Sequence, residues 1–275
     1  MAEYTSVRGN ACIAFAIALV GAPLAVAHGQ PAASAHAVRT RVLAWPGGDR
    51  LFIAVNADVR YQPGTDAKVV VTGPDEDIDD LVVDGGVIRD ENPRWGWGWR
   101  WWRWWGWRSP RPVHIVVTAP RLSDVGASGS GRLDLGRLAQ DRLTVEISGS
   151  GGVDVSGQFR SLSVSVSGSG AARLTELNVQ DMSAGLSGSG WIKASGAAGS
   201  LRLSISGSGG ADMGALQVQD VEANLSGSGS AVLSPKRTAN VGVSGSGAIR
   251  LLTEPARLNA RRSGSGAIIH PGGVS

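Results

Sequence analysis

Eight of the ten tryptophans in this 275-residue chain fall between Arg94 and Arg111. They are Trp95, Trp97, Trp99, Trp101, Trp102, Trp104, Trp105 and Trp107, interleaved with Arg100, Arg103 and Arg108 and bracketed by Pro93 and Pro110. No acidic residue interrupts the span. Indoles settle at membrane interfaces and arginine is drawn to anionic head groups, so the segment suits a bilayer surface. Indoles also stack on the apolar faces of sugars, which suits a glycan. Alternating Trp and Arg can hold single-stranded nucleic acid by stacking and charge, a partner that an exported chain seldom meets. A fourth arrangement needs no partner: a hairpin extension whose rings pack on one another and on the arginines. These readings stay open at the level of sequence. The named tryptophans and arginines form the candidate interaction surface.

Other residues with chemical potential are scattered. His28, His36, His114 and His270 are far apart, and each reads as structural or solvated. The acidic run Asp75-Glu76-Asp77-Ile78-Asp79-Asp80 lacks the glycine and the bidentate glutamate of an EF-hand loop, so a charged turn explains it better than calcium does. No serine sits in a nucleophile-elbow context with a base at hand. The expectation is therefore no catalytic residue, no metal and no cofactor. A formal charge of +3 implies no nucleic-acid partner by itself.

The elements that must position these residues are announced by a clock. Ser-Gly-Ser-Gly begins at Ser128, Ser148, Ser167, Ser187, Ser206, Ser226, Ser244 and Ser263, at intervals of 20, 19, 20, 19, 20, 18 and 19 residues. A flexible Gly/Ser linker keeps no such interval, whereas a solenoid of stacked repeats does. One, three and five places before the first serine stand aliphatics, as in Ile147, Val145 and Leu143 or Ile205, Leu203 and Leu201. Five and seven places after it stand others, as in Val153 and Val155 or Ile192 and Ala194, usually around a charge. A third inward position follows at Leu138, Phe159, Leu177, Ala197 and Leu216. Period-two alternation marks half-buried strands, and the glycines mark corners. Each repeat thus reads as two short strands and a corner, one coil of a parallel β-helix with 19–20 residues per coil. Eight coils would rise about 38 Å. The last repeat carries Arg262 where the others carry an aliphatic, then His270, as expected of a polar cap.

Residues 1–27 read as a signal peptide: Arg8, an apolar run from Ala11 to Val20, and a small-residue cleavage site at Ala25-Val26-Ala27. Export to the periplasm, outer membrane or cell surface follows, and the mature chain would carry no cysteine. Residues 28–41 read as a flexible leader. Residues 42–122 read as an N-terminal β part holding the Trp/Arg-rich loop 94–111, most simply the first part or cap of the same helix. Residues 123–275 form the repeat region and its cap.

The lead-in Val116-Val117-Thr118-Ala119-Pro120-Arg121-Leu122 and the eight spaced Gly-Ser-Gly centres resemble a bacterial family of unknown function, the putative auto-transporter adhesin, head GIN domain. The resemblance implies a right-handed β-helix without catalytic residues and a role in adhesion. The tryptophan segment departs from the family pattern. The expected function is an exported, non-enzymatic adhesin or envelope-interaction protein. The alternatives are a polysaccharide-acting β-helix enzyme, which needs a carboxylate cluster on one face, and a membrane-surface module acting through the Trp/Arg loop. An ice-binding face is disfavoured because the serines flank tight turns. An oligomer has no support in the sequence.

Overall fold

The computed structural model describes residues 38–74, 78–91 and 113–274. Among the described residues eighteen β-strands join in one sheet that winds on itself. Eight Ser-Gly-Ser-Gly corners bound seven intervals, and the repeat region accordingly makes about seven turns of a parallel β-solenoid, not eight. The five central coils are β9 (Arg132–Gly149), β10 (Gly152–Gly168), β11 (Ala171–Gly188), β12 (Trp191–Gly207) and β13 (Gly210–Gly227). Each is one nearly unbroken strand of 17 or 18 residues, where sequence reading gives two short ones. β14 (Ser230–Gly245) continues the stack, and β15 (Ala248–Leu251) with β16 (Arg257–Ser263) makes the last coil.

Alternation places the aliphatics inside as expected. Leu143, Val145, Leu162, Val164, Leu201, Leu203, Val221 and Ala223 are all buried. Burying a Val, Leu or Ile side chain stabilises by about 1.5–3 kcal/mol, so these inward columns hold the coils together. Ala197 is an exception: it is exposed, and Ala198 is buried in its place. The reason lies in register. Gly196, not an alanine, pairs with Leu177 on one side and Leu216 on the other.

At the corners the backbone sets the sequence. The first glycine of the motif has positive φ in all eight copies, from +105° to +124° at Gly129, Gly149, Gly168, Gly188, Gly207, Gly227, Gly245 and Gly264. A Cβ on Gly207 would lie 2.5 Å from the Gly188 carbonyl oxygen, and one on Gly209 would lie 2.4 Å from that of Gly190. Both conformation and space exclude a side chain. That closeness has a use. The Gly188 carbonyl accepts from the amides of Ser208 and Gly209 (3.0 and 2.9 Å), and the Gly207 carbonyl accepts from Ser228 and Gly229 (2.9 and 3.0 Å). The first serines pair in register from Ser128 to Ser263, coil upon coil.

The alternation of 20 and 19 has a structural cause. The register between β9 and β10 slips by one residue between Asp154 and Ser156, opposite Gly136. Between β10 and β11 it slips back, leaving Glu176 as the extra residue. Between β12 and β13 it slips again near Gly214. Every second coil therefore carries a one-residue bulge at a second corner, which is where the twentieth residue goes. Two of the bulges are capped alike. The Asp134 carboxylate accepts from the Gly136 amide (2.9 Å) and the Ser156 hydroxyl donates to the Gly136 carbonyl (3.0 Å). Asp212 and Ser234 do the same for Gly214 (3.4 and 2.7 Å). Glu176 occupies the equivalent place in β11 with φ +51°, unfavourable for a side chain.

The N-terminal part only partly continues the solenoid. β2 (Arg50–Ile53) and β3 (Ala57–Pro63) run parallel to the coil that follows, pairing β8 (Asp124–Gly129) and the start of β9. β1 (Val38–Ala44), β4 (Lys68–Pro74) and β7 (Val113–Ala119) pair antiparallel, in the order β1-β4-β7. β5 (Leu81–Asp84) and β6 (Val87–Asp90) form an antiparallel hairpin. Strand structure begins at Val38, inside the stretch read as a leader to residue 41. Arg41 braces the acidic turn through the carbonyls of Ile78, Asp79 and Leu81, and Arg39 pairs with Asp79 at 3.7 Å. At the other end β17 (Ala267–His270) and β18 (Gly273–Val274) close the stack with an antiparallel turn. Arg262, in register with the buried Val243, is itself exposed and donates to the Gly266 carbonyl at 3.2 Å.

Gly207→Ala is expected to lower the unfolding free energy by about 3 kcal/mol, through overpacking and backbone strain together. Ser206→Ala, one residue earlier and exposed, should stay within about 0.5 kcal/mol of the parent. Glu176→Gly should act in the opposite sense and gain up to about 1 kcal/mol by relieving the positive φ. Urea unfolding monitored by circular dichroism measures all three.

Candidate interaction surface

The candidate residues Trp95, Trp97, Trp99, Arg100, Trp101, Trp102, Arg103, Trp104, Trp105, Trp107 and Arg108 lie outside the described residues. Their anchors do not. The segment leaves after β6 and returns at Val113, the first residue of β7. β7 pairs β3, and β3 pairs the start of β9. The segment therefore re-enters on the first sheet face of the solenoid, where His114, Asp58 and Arg132 follow one another across the strands.

Two outward columns run down that face. One continues from Arg132 through Gly152, Ala171, Trp191, Gly210, Ser230, Ala248 and Ala267. The other runs Arg60, Asp134, Asp154, Arg173, Lys193, Asp212, Val232 and Arg250. In the second column opposite charges meet. Arg60 pairs with Asp134 at 3.2 Å, and Lys193 pairs with Asp212 at 3.4 Å. Asp154 takes Arg132 at 3.1 Å and Arg173 at 2.9 Å. Asp134 and Asp212 also cap the bulges. Asp134, Asp154 and Asp212 are thus engaged in holding the shape of this face.

Trp191 was not singled out by sequence. It is 54% exposed, more than any other aromatic among the described residues. The available signal was its column: four places after each first serine the chain has Arg, Gly, Ala, Trp, Gly, Ser, Ala and Ala. Trp45, by contrast, is buried and donates its indole N–H to the Gly48 carbonyl at 3.1 Å, a structural role. His114 lies 4.0 Å from Asp58, and His270 lies 3.8 Å from Glu254. The structure brings no two histidines together among the described residues, and no group of three metal-ligating side chains occurs among them.

Stacked Gly-Ser-Gly corners, alternating bulges and a charge-paired outer face define a parallel β-solenoid. The chain belongs to the family described as putative auto-transporter adhesin, head GIN domain, whose model matches residues 49–175 and 158–255. A crystal structure of a "putative lipid binding protein" from Parabacteroides distasonis is similar at 22% identity and TM-score 0.75, covering 85% of this chain and 96% of that one. A "putative adhesin" from Parabacteroides merdae is similar at 18% identity and TM-score 0.72, covering 85% and 95%. One from Bacteroides fragilis has 19% identity and TM-score 0.61, covering 85% and 97%. At these identities the likeness establishes the fold. Among curated proteins none matches the chain in sequence.

One ion pair stands apart, between β13 and β14. Asp220 accepts from Arg237 and from the Thr238 hydroxyl (2.7 Å), which together hold its pKa at about 2. A depressed carboxylate pKa stabilises the fold above the unfolded value, near pH 4, and that contribution is lost as pH falls through about 2. Asp220→Asn should therefore lower the urea midpoint at pH 6, with the gap to the parent closing between pH 4 and pH 2. Denaturation series at those pH values read the effect.

Proposed function

We propose that the protein is an exported, non-enzymatic envelope or adhesion protein in which the solenoid is support and the segment Arg94–Arg111 makes the contact. The observation that carries this reading is the contrast between the two parts. The coils spend their outward acids on bulge caps and on ion pairs with Arg60, Arg132, Arg173 and Lys193. The segment between β6 and β7 collects eight indoles and five arginines, counting Arg94 and Arg111, with no acid. Apolar area on that scale, where it is exposed, marks a surface that meets a partner. The names carried by the structural neighbours, adhesin and lipid-binding, both describe proteins that meet a surface. The signal-like residues 1–27 support export.

Arginine among indoles favours an anionic bilayer as the first partner to test, with an envelope glycan as the second. Full-length mature protein and a variant lacking Arg94–Arg111 are compared by sedimentation with phosphatidylglycerol vesicles and by retention on envelope polysaccharide. Deletion is expected to weaken binding to at least one of the two by about tenfold or more, since six or more interfacial indoles and charges each add to the free energy. Equal binding of both proteins to both materials would overturn the proposal.

A further inference from the structure

The coil face carries a second feature that the segment does not explain. Trp191 is 54% exposed, yet its ring does not project freely. A Cβ built on Gly210 would meet Trp191 Cη2 and Cζ3 at 2.7 Å and Cε3 at 3.1 Å. The six-membered ring thus lies over Gly210 of the next coil and stays half open to solvent. Ala171 and Gly210 are its neighbours in the column, and neither has a side chain long enough to cover it. Beside the ring a shallow depression is lined by Ala171, Ala172, Arg173, Lys193 and Asp212.

The charges here are paired. Arg173 shares Asp154 with Arg132, and Lys193 pairs with Asp212, all partly open to water. Charges already paired do not strongly select an anion or a cation. They offer donors and acceptors side by side, with Lys193 Nζ and Asp212 Oδ2 at 3.4 Å. That spacing suits adjacent hydroxyl groups, each of which donates and accepts. A flat apolar platform rimmed by paired donors and acceptors matches a pyranose, whose ring faces carry C–H groups and whose edge carries hydroxyls. A membrane anchor would instead raise the indole clear of the sheet and leave a surplus of cations near it.

We infer that Trp191, with Lys193, Asp212 and Arg173, forms a sugar-stacking site on the solenoid face for a neutral pyranoside chain. The site is separate from the segment Arg94–Arg111. By strand count β7, where that segment returns, lies five strands away on the same face, about 24 Å at the usual strand spacing. One surface could then hold a glycan while the segment meets another partner.

The test is an indole N–H NMR titration of the full mature chain with cellohexaose and with chitohexaose, and separately with phosphatidylglycerol vesicles. Trp191→Phe identifies the Trp191 resonance. A saturable shift of that resonance with either oligosaccharide is expected. Trp191→Ala should weaken affinity by about tenfold or more, which corresponds to at least about 1.4 kcal/mol. Lys193→Met, which keeps the stem and removes the donor, should weaken it severalfold. Both side chains are exposed, and unchanged circular dichroism will show that the variants fold. No shift with either oligosaccharide, a shift with vesicles alone, or unaltered affinity in Trp191→Ala would overturn the inference. Deleting Arg94–Arg111 should leave the Trp191 response in place, which separates this outcome from that of the proposed function.

Discussion

The whole structure depends on how closely one coil's backbone approaches the next at the Gly-Ser-Gly corner. There the carbonyl of one glycine accepts from one or two amides in the following coil, and from Gly149 onward the contact is too close for a Cβ. A tight turn would otherwise leave buried or half-buried amides without partners, at a cost of about 1–3 kcal/mol each. Stacking corners solves this by letting each turn satisfy its neighbour. The requirement repeats with every coil, so the motif repeats with every coil. The inward aliphatics supply the burial, but the corners supply the register in which that burial takes place.

Fold class was legible in the sequence because both devices leave periodic traces. Glycine cannot be replaced at a corner with positive φ and no room, and the inward columns must be apolar at every second position. Register at the second corner was not legible. The intervals of 20 and 19 were visible, yet nothing in Gly136, Glu176 or Gly214 taken singly says that they are bulges. Their meaning appears only when neighbouring coils are paired, as does the exchange of Ala197 for Ala198. The N-terminal pairings were also hidden, because antiparallel β1, β4 and β7 use the same Val-rich alternation that parallel strands use.

The candidate surface shows the same division. The Trp/Arg segment was obvious by composition, and its anchorage between β6 and β7 needed the topology. Trp191 was hidden for the opposite reason: a lone tryptophan in a long chain carries no pattern until its column is seen to be otherwise small. Asp134 and Asp212 are, in the sequence, simply the charges that stand between paired aliphatics. Paired with Gly136 and Gly214, they become turn caps, which removes them from the list of free acids. The solenoid thus separates its tasks. Corners and bulges consume the polar groups that hold the shape, while Trp191 stays open on the coil face.

The most direct measurement of this account is native-state hydrogen exchange at the corner amides of Ser169, Ser189, Ser208 and Ser228, which donate to the glycine carbonyls of the preceding coils. If stacked corners set the register, these amides exchange only with the unfolding of the coils, as slowly as the amides of Leu203 and Val164 in the strands. Exchange at these four positions on the timescale of surface loops, while the strand amides stay protected, would contradict it. The corners would then be passive connections, and the aliphatic columns alone would hold the fold.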